Sequence, residues 1–276
     1  MNFINDFSPD LVNLGPIAIP WYGLIAIPIR WYGLLFAAGI ISYYVLLKWI
    51  FEQEKYPVSD AESMVMYLFF GLVIGARLGE VFFYRPEFFI DNPSEITKIW
   101  HGGLSSHGAT IGLFISYFIF CKIHTIKYTK YFDVIVIGMP LTAAFVRIGN
   151  FVNSEILGIP TGSASAPGKW GVVFVRAGEN FPRHPVQLYE AVLCIAVFIV
   201  LFVLYNRSYR KTPPLFFLFL FLLLYFGGRF FIEFYKDLHV LPEDFPLSMG
   251  QVLSIIPILT AAGYFTLIFP KQTKGR

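Results

Sequence analysis

Charge is what this sequence has least of. Only 14% of its 276 residues are Asp, Glu, Lys or Arg, against about 25% in globular domains, which argues against a soluble enzyme of two ordinary domains. The formal net charge of +3 is too small to argue for a nucleic-acid partner. Cysteine is nearly absent: Cys121 and Cys194 both sit in apolar runs, so neither a disulfide framework nor a CxxC site is expected. No Lys or Arg precedes Arg30. The start of the chain therefore lacks the basic region of a cleavable signal peptide, and retention of the N-terminus is expected. His101, His107 and His184 lack the spacing of a metal site, and no metal or cofactor is expected. Neither GxSxG nor SxxK surrounds Ser105 or Ser106, so serine chemistry has no support there.

Apolar residues fill the space that charge leaves. Hydrophobic residues make up 56% of the chain, 31 of them Phe, and the mean hydropathy is +0.63. Segments long enough to cross a bilayer fall at roughly 31–50, 62–84, 104–121, 132–148, 186–205, 214–233 and 248–269. The fourth is at the short limit. Lipid offers no partner to an exposed backbone amide, so each span must be helical. The expected fold is an all-α polytopic membrane protein of seven transmembrane helices, forming a single domain over residues 1–276.

Basic residues then set the orientation. With seven spans, one face carries Lys48, Lys55, Lys122, Lys127, Lys130, Arg207, Arg210, Lys211, Lys271, Lys274 and Arg276. The other carries Arg30, Arg85, Lys98, Lys169, Arg176, Arg183 and Lys236, spread over longer loops. The richer face is expected in the cytoplasm, which places the N-terminus outside and the C-terminus inside. The longest loop, about 149–185, is then extracytoplasmic, with a flexible tip over Gly162–Gly168.

This orientation gathers the polar residues. Tyr32, Arg77, Glu80, His107, Arg147, Gln187, Glu190, Tyr225, Arg229, Glu233 and Gln251 lie in or beside the spans. They fall near the starts of inward-running helices and the ends of outward-running ones, so all occupy the outer half of the membrane. Ionisable groups there are costly unless paired or wet, and mark function by default. Tyr225, Arg229 and Glu233 share a helix face, and Arg77 and Glu80 are spaced to meet. Arg147 has no carboxylate at a helical spacing; Glu155, beyond a turn, is the nearest candidate. Two arginines at similar depth repel unless an anion lies between them, and a lipid phosphate matches the guanidinium fork. His107 follows a Gly-Gly-Leu-Ser-Ser run and is a candidate base. Pro-Trp-Tyr-Gly-Leu at 20–24 recurs as Arg-Trp-Tyr-Gly-Leu at 30–34, which leaves Tyr22 as a rival to Tyr32. An uninterrupted apolar run follows only Tyr32.

The segment Arg147-Ile-Gly-Asn150-Phe-Val-Asn153-Ser-Glu155-Ile-Leu-Gly158 resembles the signature of the prolipoprotein diacylglyceryl transferases. Further blocks resemble that family in the same order: Trp31–Leu34, Gly75–Gly79, Gly102–Gly108, His184–Glu190, Arg229–Phe234 and Ser248–Gln251. Together they run from about residue 20 to the C-terminus. The resemblance implies an enzyme of the bacterial cytoplasmic (inner) membrane, with its active site toward the extracytoplasmic half. Its reaction is transfer of an sn-1,2-diacylglyceryl group from phosphatidylglycerol to the lipobox cysteine thiol of a prelipoprotein signal peptide, releasing sn-glycerol 1-phosphate. It also implies roles: Arg147, Arg229, His107 and Tyr32 as catalytic residues, and Asn150, Glu155, Gly158, Tyr225 and Glu233 as supporting ones. Arg77 and Gln187 join the expected substrate-binding set. Two positions depart from the family pattern: Val146 stands where glycine is usual, and His101 where an acidic residue is common. Paired intramembrane arginines also suit a transporter of an anionic solute, although the apolar inner halves and the lack of repeated halves do not.

Overall fold

A computed structural model describes residues 2–19, 23–99, 102–162, 168, 170–237 and 246–274. Tyr22, His101 and most of the predicted loop tip lie outside the described residues. The chain is mostly helical. Long helices occur where apolar runs leave the backbone no partner but itself: α1 (Trp31–Gln53), α2 (Val58–Gly79), α4 (Ser106–Ile123), α5 (Phe132–Val152), α6 (Val186–Ser208), α7 (Phe216–Ile232) and α8 (Met249–Gly263). Short helices α3 (Pro86–Asp91) and α9 (Phe269–Lys274) complete the set. A π-helical turn over Glu80–Tyr84 extends α2, and another over Tyr264–Ile268 joins α8 to α9.

With these extensions, six helices among the described residues are long and apolar enough to cross a membrane. They cover Trp31–Gln53, Val58–Tyr84, Phe132–Val152, Val186–Lys211, Phe216–Tyr235 and Met249–Thr273. The expectation for the fourth apolar segment is corrected: α5 has 21 residues, enough to cross, while the shorter apolar helix is α4. The segment expected to end near 148 continues as helix through Asn150 to Val152. Ile41, Val45, Ile111, Val192, Ile256 and Leu259 are exposed on the helices, as expected of surface in contact with lipid rather than water.

The all-helical expectation is corrected by four short strands. Strands β1 (Asn2–Asn5) and β4 (Gly171–Phe174) pair in parallel, with Asn2 opposite Gly171 and Asn5 opposite Phe174. Strands β2 (Asp10–Ile19) and β3 (Gly23–Arg30) form an antiparallel pair whose register is interrupted between Asp10 and Val12 and between Asn13 and Pro16. All four lie outside the spans.

The chain divides into two compact units, one over residues 1–43 and 132–276 and the other over 44–131. In the second, α2 and α4 pack along facing glycines: Gly71, Gly75 and Gly79 on α2, Gly108 and Gly112 on α4. A Cβ at Gly75, Gly108 or Gly112 would run into a carbonyl oxygen of the opposite helix. Such small-residue faces let helix backbones approach closely in lipid, where burying apolar surface supplies no drive. Ser105 starts α4 by accepting a hydrogen bond from the Gly108 amide at 3.1 Å. Phe70, Ile74, Phe82, Ile111 and Ile115 line an apolar groove of about 700 Å³ on this pair.

In the first unit, Asn5 is fully buried and its side-chain amide donates to the Phe151 carbonyl at 2.7 Å, which docks β1 on the end of α5. At the opposite end of α5, the Asp133 carboxylate accepts from the Leu215 and Leu218 amides at 2.7 and 2.9 Å, capping α7 from a neighbouring helix. Cys121 and Cys194 are both free and buried.

Candidate active site

Five charged side chains of the first unit meet at one end of α5, α6 and α7. Arg147 lies in the last turns of α5, Glu190 in the first turns of α6, and Arg229 in the last turn of α7. Arg147 Nε is 2.8 Å from Glu190 Oε2, and Arg229 Nη1 is 3.6 Å from Glu190 Oε1. A third cation reaches the same carboxylate, with Lys236 Nζ 2.8 Å from Glu190 Oε1 and 3.1 Å from Glu233 Oε2. One buried carboxylate thus joins three cations. A charge removed from water persists only with partners of this quality.

Two sequence-based pairings are thereby corrected. Arg147 pairs with Glu190 across helices rather than with Glu155. Glu233 pairs with Lys236 rather than with Arg229, because α7 ends at Ile232 and a tighter 3₁₀ turn over Glu233–Tyr235 carries the carboxylate away. Gly250, in the first turn of α8, packs against the Glu233 carboxylate so closely that a Cβ would overlap it. The positive end of α8 therefore faces that carboxylate.

Polar groups around Arg147 are held by a tight turn. Arg147 Nη1 donates to Asn150 Oδ1 at 3.4 Å, and Asn150 Nδ2 donates to Glu155 Oε2 at 3.1 Å. Asn153 Nδ2 donates to the other Glu155 oxygen at 3.3 Å, and Gln187 Nε2 to the Glu155 carbonyl at 2.7 Å. Gln187 is fully buried, and its Oε1 has no hydrogen-bond partner among the described residues. Ser154 and Ile156 flank Glu155 at φ of 54° and 59°, and a β-branched residue there is strained. Tyr32, in the first turn of α1, lays its ring on Gly149, where a Cβ would come within 2.8 Å of Cδ2. This places Tyr32 beside Arg147 and Asn150. The Tyr225 hydroxyl is within hydrogen-bonding reach of Arg147.

Gly158 is required by close approach: a Cβ would strike the His184 carbonyl. Hydrogen bonds from Ile159 N to Tyr235 O at 2.9 Å and from Asp237 N to Leu157 O at 3.1 Å stitch this stretch to the end of α7. Arg183 reinforces the seam, bonding the Gly158 carbonyl, Glu179 and Asp237. Burial opposes its charge, but the bonds to Glu179 and Asp237 outweigh it and raise its pKa. Next to it, His184 packs against Trp170 and Tyr235, with ring centroids 5.0 and 4.9 Å apart. Burial pushes the His184 imidazole below its usual range, toward the neutral form.

His107 and Arg77 belong to the second unit. His107 is exposed, with Nδ1 2.9 Å from the Tyr84 hydroxyl. Arg77 does not pair with Glu80. It donates to the carbonyls of Glu95, Ile96, Lys98, Gly102 and Gly103. Glu80 turns to Arg85 at 2.8 Å, which the π-helical turn over Glu80–Tyr84 brings back to it, with the Arg85 amide bonded to the Glu80 carbonyl. The structure thus engages every nitrogen of Arg77 in holding a loop.

Sequence reasoning marked Glu190 only as one of the costly polar residues of the spans, without a partner, and assigned no role to Lys236 or Asn5. Lys236 was counted as a loop charge, although its spacing of three from Glu233 was a usable signal. Taken together, two partly exposed arginine side chains and a buried lysine give one end of the helix bundle a concentration of positive charge.

Comparison with known proteins matches this arrangement to a family. Residues 24–267 match the model of the prolipoprotein diacylglyceryl transferases. The chain belongs to the prolipoprotein diacylglyceryl transferase family. It is 40% identical to a phosphatidylglycerol–prolipoprotein diacylglyceryl transferase of Tolumonas auensis, over 98% of each chain. A protein of the same name from Chloroherpeton thalassium is 38% identical over 92% of this chain and 90% of its own. One from Bacteroides fragilis is 37% identical over 91% and 93%. All three carry the name of a transferase and none that of a transporter, so the transporter reading is not favoured. The family match covers the charged cluster, the Arg147–Gly158 turn and His107 alike.

Proposed function

We propose that this protein transfers the sn-1,2-diacylglyceryl group of phosphatidylglycerol to the lipobox cysteine thiol of prelipoprotein signal peptides, the first step of bacterial lipoprotein maturation. The observation that carries this reading is the convergence of Arg147 and Arg229 from separate helices on one end of the bundle, each side chain still partly exposed. The cysteine sulfur attacks the glyceryl carbon that bears the phosphate oxygen. A C–S bond forms, the C–O bond breaks, and sn-glycerol 1-phosphate leaves with the electron pair. The two guanidiniums stabilise the charge gathering on that leaving phosphate. Their field also favours the thiolate over the thiol, whose free pKa of about 8.5 leaves it mostly protonated at neutral pH. Tyr32, Asn150 and Glu155 hold Arg147 and the headgroup in place, with Tyr225, Glu233 and Gly158 in support. His107 is the candidate proton acceptor. Arg77, which holds a loop of the second unit, and Gln187, which holds the Glu155 turn of the first, complete the proposed substrate-binding set.

In this reading α4 is the seventh span. Its 18 residues rise about 27 Å, close to the ~30 Å hydrocarbon core. The N-terminus then lies outside and the C-terminus in the cytoplasm. One transferase domain fills residues 1–276 of a cytoplasmic (inner) membrane protein, with its site and the loop 149–185 toward the extracytoplasmic side. Membrane lipids are both solvent and substrate.

The test combines purified protein, detergent containing phosphatidylglycerol, and a lipobox peptide. The expected result is a diacylglyceryl mass gain on the peptide with matching glycerol phosphate release, absent for a Cys→Ser peptide. A folded sample giving neither product would refute the reading.

A further inference from the structure

Five charged groups meet within ion-pair distance in the first unit: Arg147, Arg229, Lys236, Glu190 and Glu233. Their formal charges sum to one positive. They differ in access. The Lys236, Glu190 and Glu233 side chains are 3%, 3% and 5% exposed, against 16% for Arg147 and 25% for Arg229. A ligand therefore meets the arginines, while the ammonium lies sealed beneath them. Glu155, the next carboxylate, is held by the side-chain amides of Asn150 and Asn153.

The position of Lys236 is set by backbone contacts on both sides. Its amide donates to the Glu233 carbonyl at 3.2 Å, and residue 236 bridges to Gly158. The ammonium is thereby fixed between two carboxylates, Glu190, which it shares with both arginines, and Glu233, for which it is the cationic partner. Without it, two buried carboxylates stand against two guanidiniums and the sum is zero. An entering phosphate would then meet a cluster with no net positive charge to attract it.

We propose that Lys236 is a positioning residue that sets the charge of the site: by sharing Glu190 with the arginines and neutralising Glu233, its ammonium leaves the cluster of Arg147 and Arg229 a net positive charge for the phosphodiester of an anionic lipid. Lys236 itself touches no lipid. The proposal rests on the lipid-binding half of the transferase reading. It accounts for a fully buried lysine in a cluster whose more accessible cations are arginines, since only a cation held away from the ligand can neutralise the carboxylates without competing for the phosphate.

The test measures binding of phosphatidylglycerol and of uncharged diacylglycerol to the full chain in neutral detergent, with transfer followed in parallel. Lys236→Met is expected to weaken phosphatidylglycerol binding about tenfold or more and leave diacylglycerol binding unchanged. Lys236→Arg stays within about threefold of wild type. Adding Glu233→Gln to Lys236→Met returns the sum to +1 and most of the lost affinity, which a merely structural role would not do. Glu233→Gln alone moves the charge the other way and tightens binding several-fold, a measurement independent of whether Lys236→Met folds. Wild-type affinity in Lys236→Met, equal loss for both lipids, failure of the double variant to recover, or unchanged binding in Glu233→Gln would each overturn the proposal. A wild-type preference for phosphatidylglycerol with no transfer would sink the transferase reading and leave this one standing, whereas no preference would sink both.

Discussion

Arg147 and Arg229 bear the same charge but make different demands on it, and replacing each by lysine separates charge from geometry. Arg147 uses Nε for Glu190 at 2.8 Å and Nη1 for Asn150 at 3.4 Å. A lysine has one nitrogen and cannot serve Glu190, Asn150 and a phosphate together. Each hydrogen bond to a charged group contributes about 1.5–3 kcal/mol, and loss of one transition-state donor costs about 100-fold or more in kcat. Arg147→Lys is therefore expected to fall about 100-fold or more, nearly as far as Arg147→Ala. Arg229 contacts Glu190 only through Nη1 at 3.6 Å, a contact that an ammonium replaces more readily. Arg229→Lys should lose about tenfold, one stage less on the same scale. Neither change orphans Glu190, because Lys236 remains 2.8 Å away. The variants should thus insert and purify as wild type does, avoiding the ~3–5 kcal/mol of a broken buried pair. The assay is the initial rate of peptide mass gain at saturating phosphatidylglycerol, with size-exclusion and thermal melting as folding controls. Arg147→Lys within a few-fold of wild type, or the two lysine variants equally impaired, would refute the division of roles.

Three further outcomes are expected. Gly75→Leu should abolish recovery of folded protein, since even a Cβ meets the Gly108 carbonyl, whereas Gly227→Ala, with nothing within 4 Å, should be neutral or stabilising by about 0.5–1 kcal/mol; yield and melting temperature compare them. Tyr32→Phe should cut the transfer rate at least about tenfold and Tyr22→Phe should not, with the reverse result moving the role to Tyr22. Burial lowers the pKa of His184, so its contribution is present above the unfolded pKa of about 6.5 and lost as pH falls through the folded one. Melting temperature should therefore drop on acidification below about pH 6.5, and His184→Gln should flatten that slope; an unchanged slope counts against the argument.

The membrane character and six of the helices were legible because a span is a local property: about 20 apolar residues suffice to declare it. The same applies to Tyr32, Arg147 and Arg229, exposed by their cost in an apolar stretch. Pairing was not legible. Arg147 and Glu190 are 43 positions apart (190 minus 147) on different helices, and helical spacing sees only neighbours on one helix. Arg77 and Glu80 satisfied the spacing rule, yet a ring of loop carbonyls takes the arginine and Arg85 takes the carboxylate. Strands β1 and β4 pair across more than half the chain, so neither carries a hairpin signal. Lys236 was misread because charge counting treats every loop cation as solvated.

The interlocked glycines of α2 and α4 bear on how the protein is made. Both helices belong to the contiguous stretch 44–131, so the pair can zip together in the bilayer while the ribosome is still adding residues. The other unit needs residues 1–43 and 132–276 together, and β1 gains its partner only when Gly171–Phe174 emerges. The charged cluster comes later still, when α7 and the turn after it deliver Arg229 and Lys236 to a Glu190 already in place. Until then Glu190 and Arg147 have only each other, so a chain truncated between residues 190 and 229 holds that single pair without the two further cations that complete the cluster.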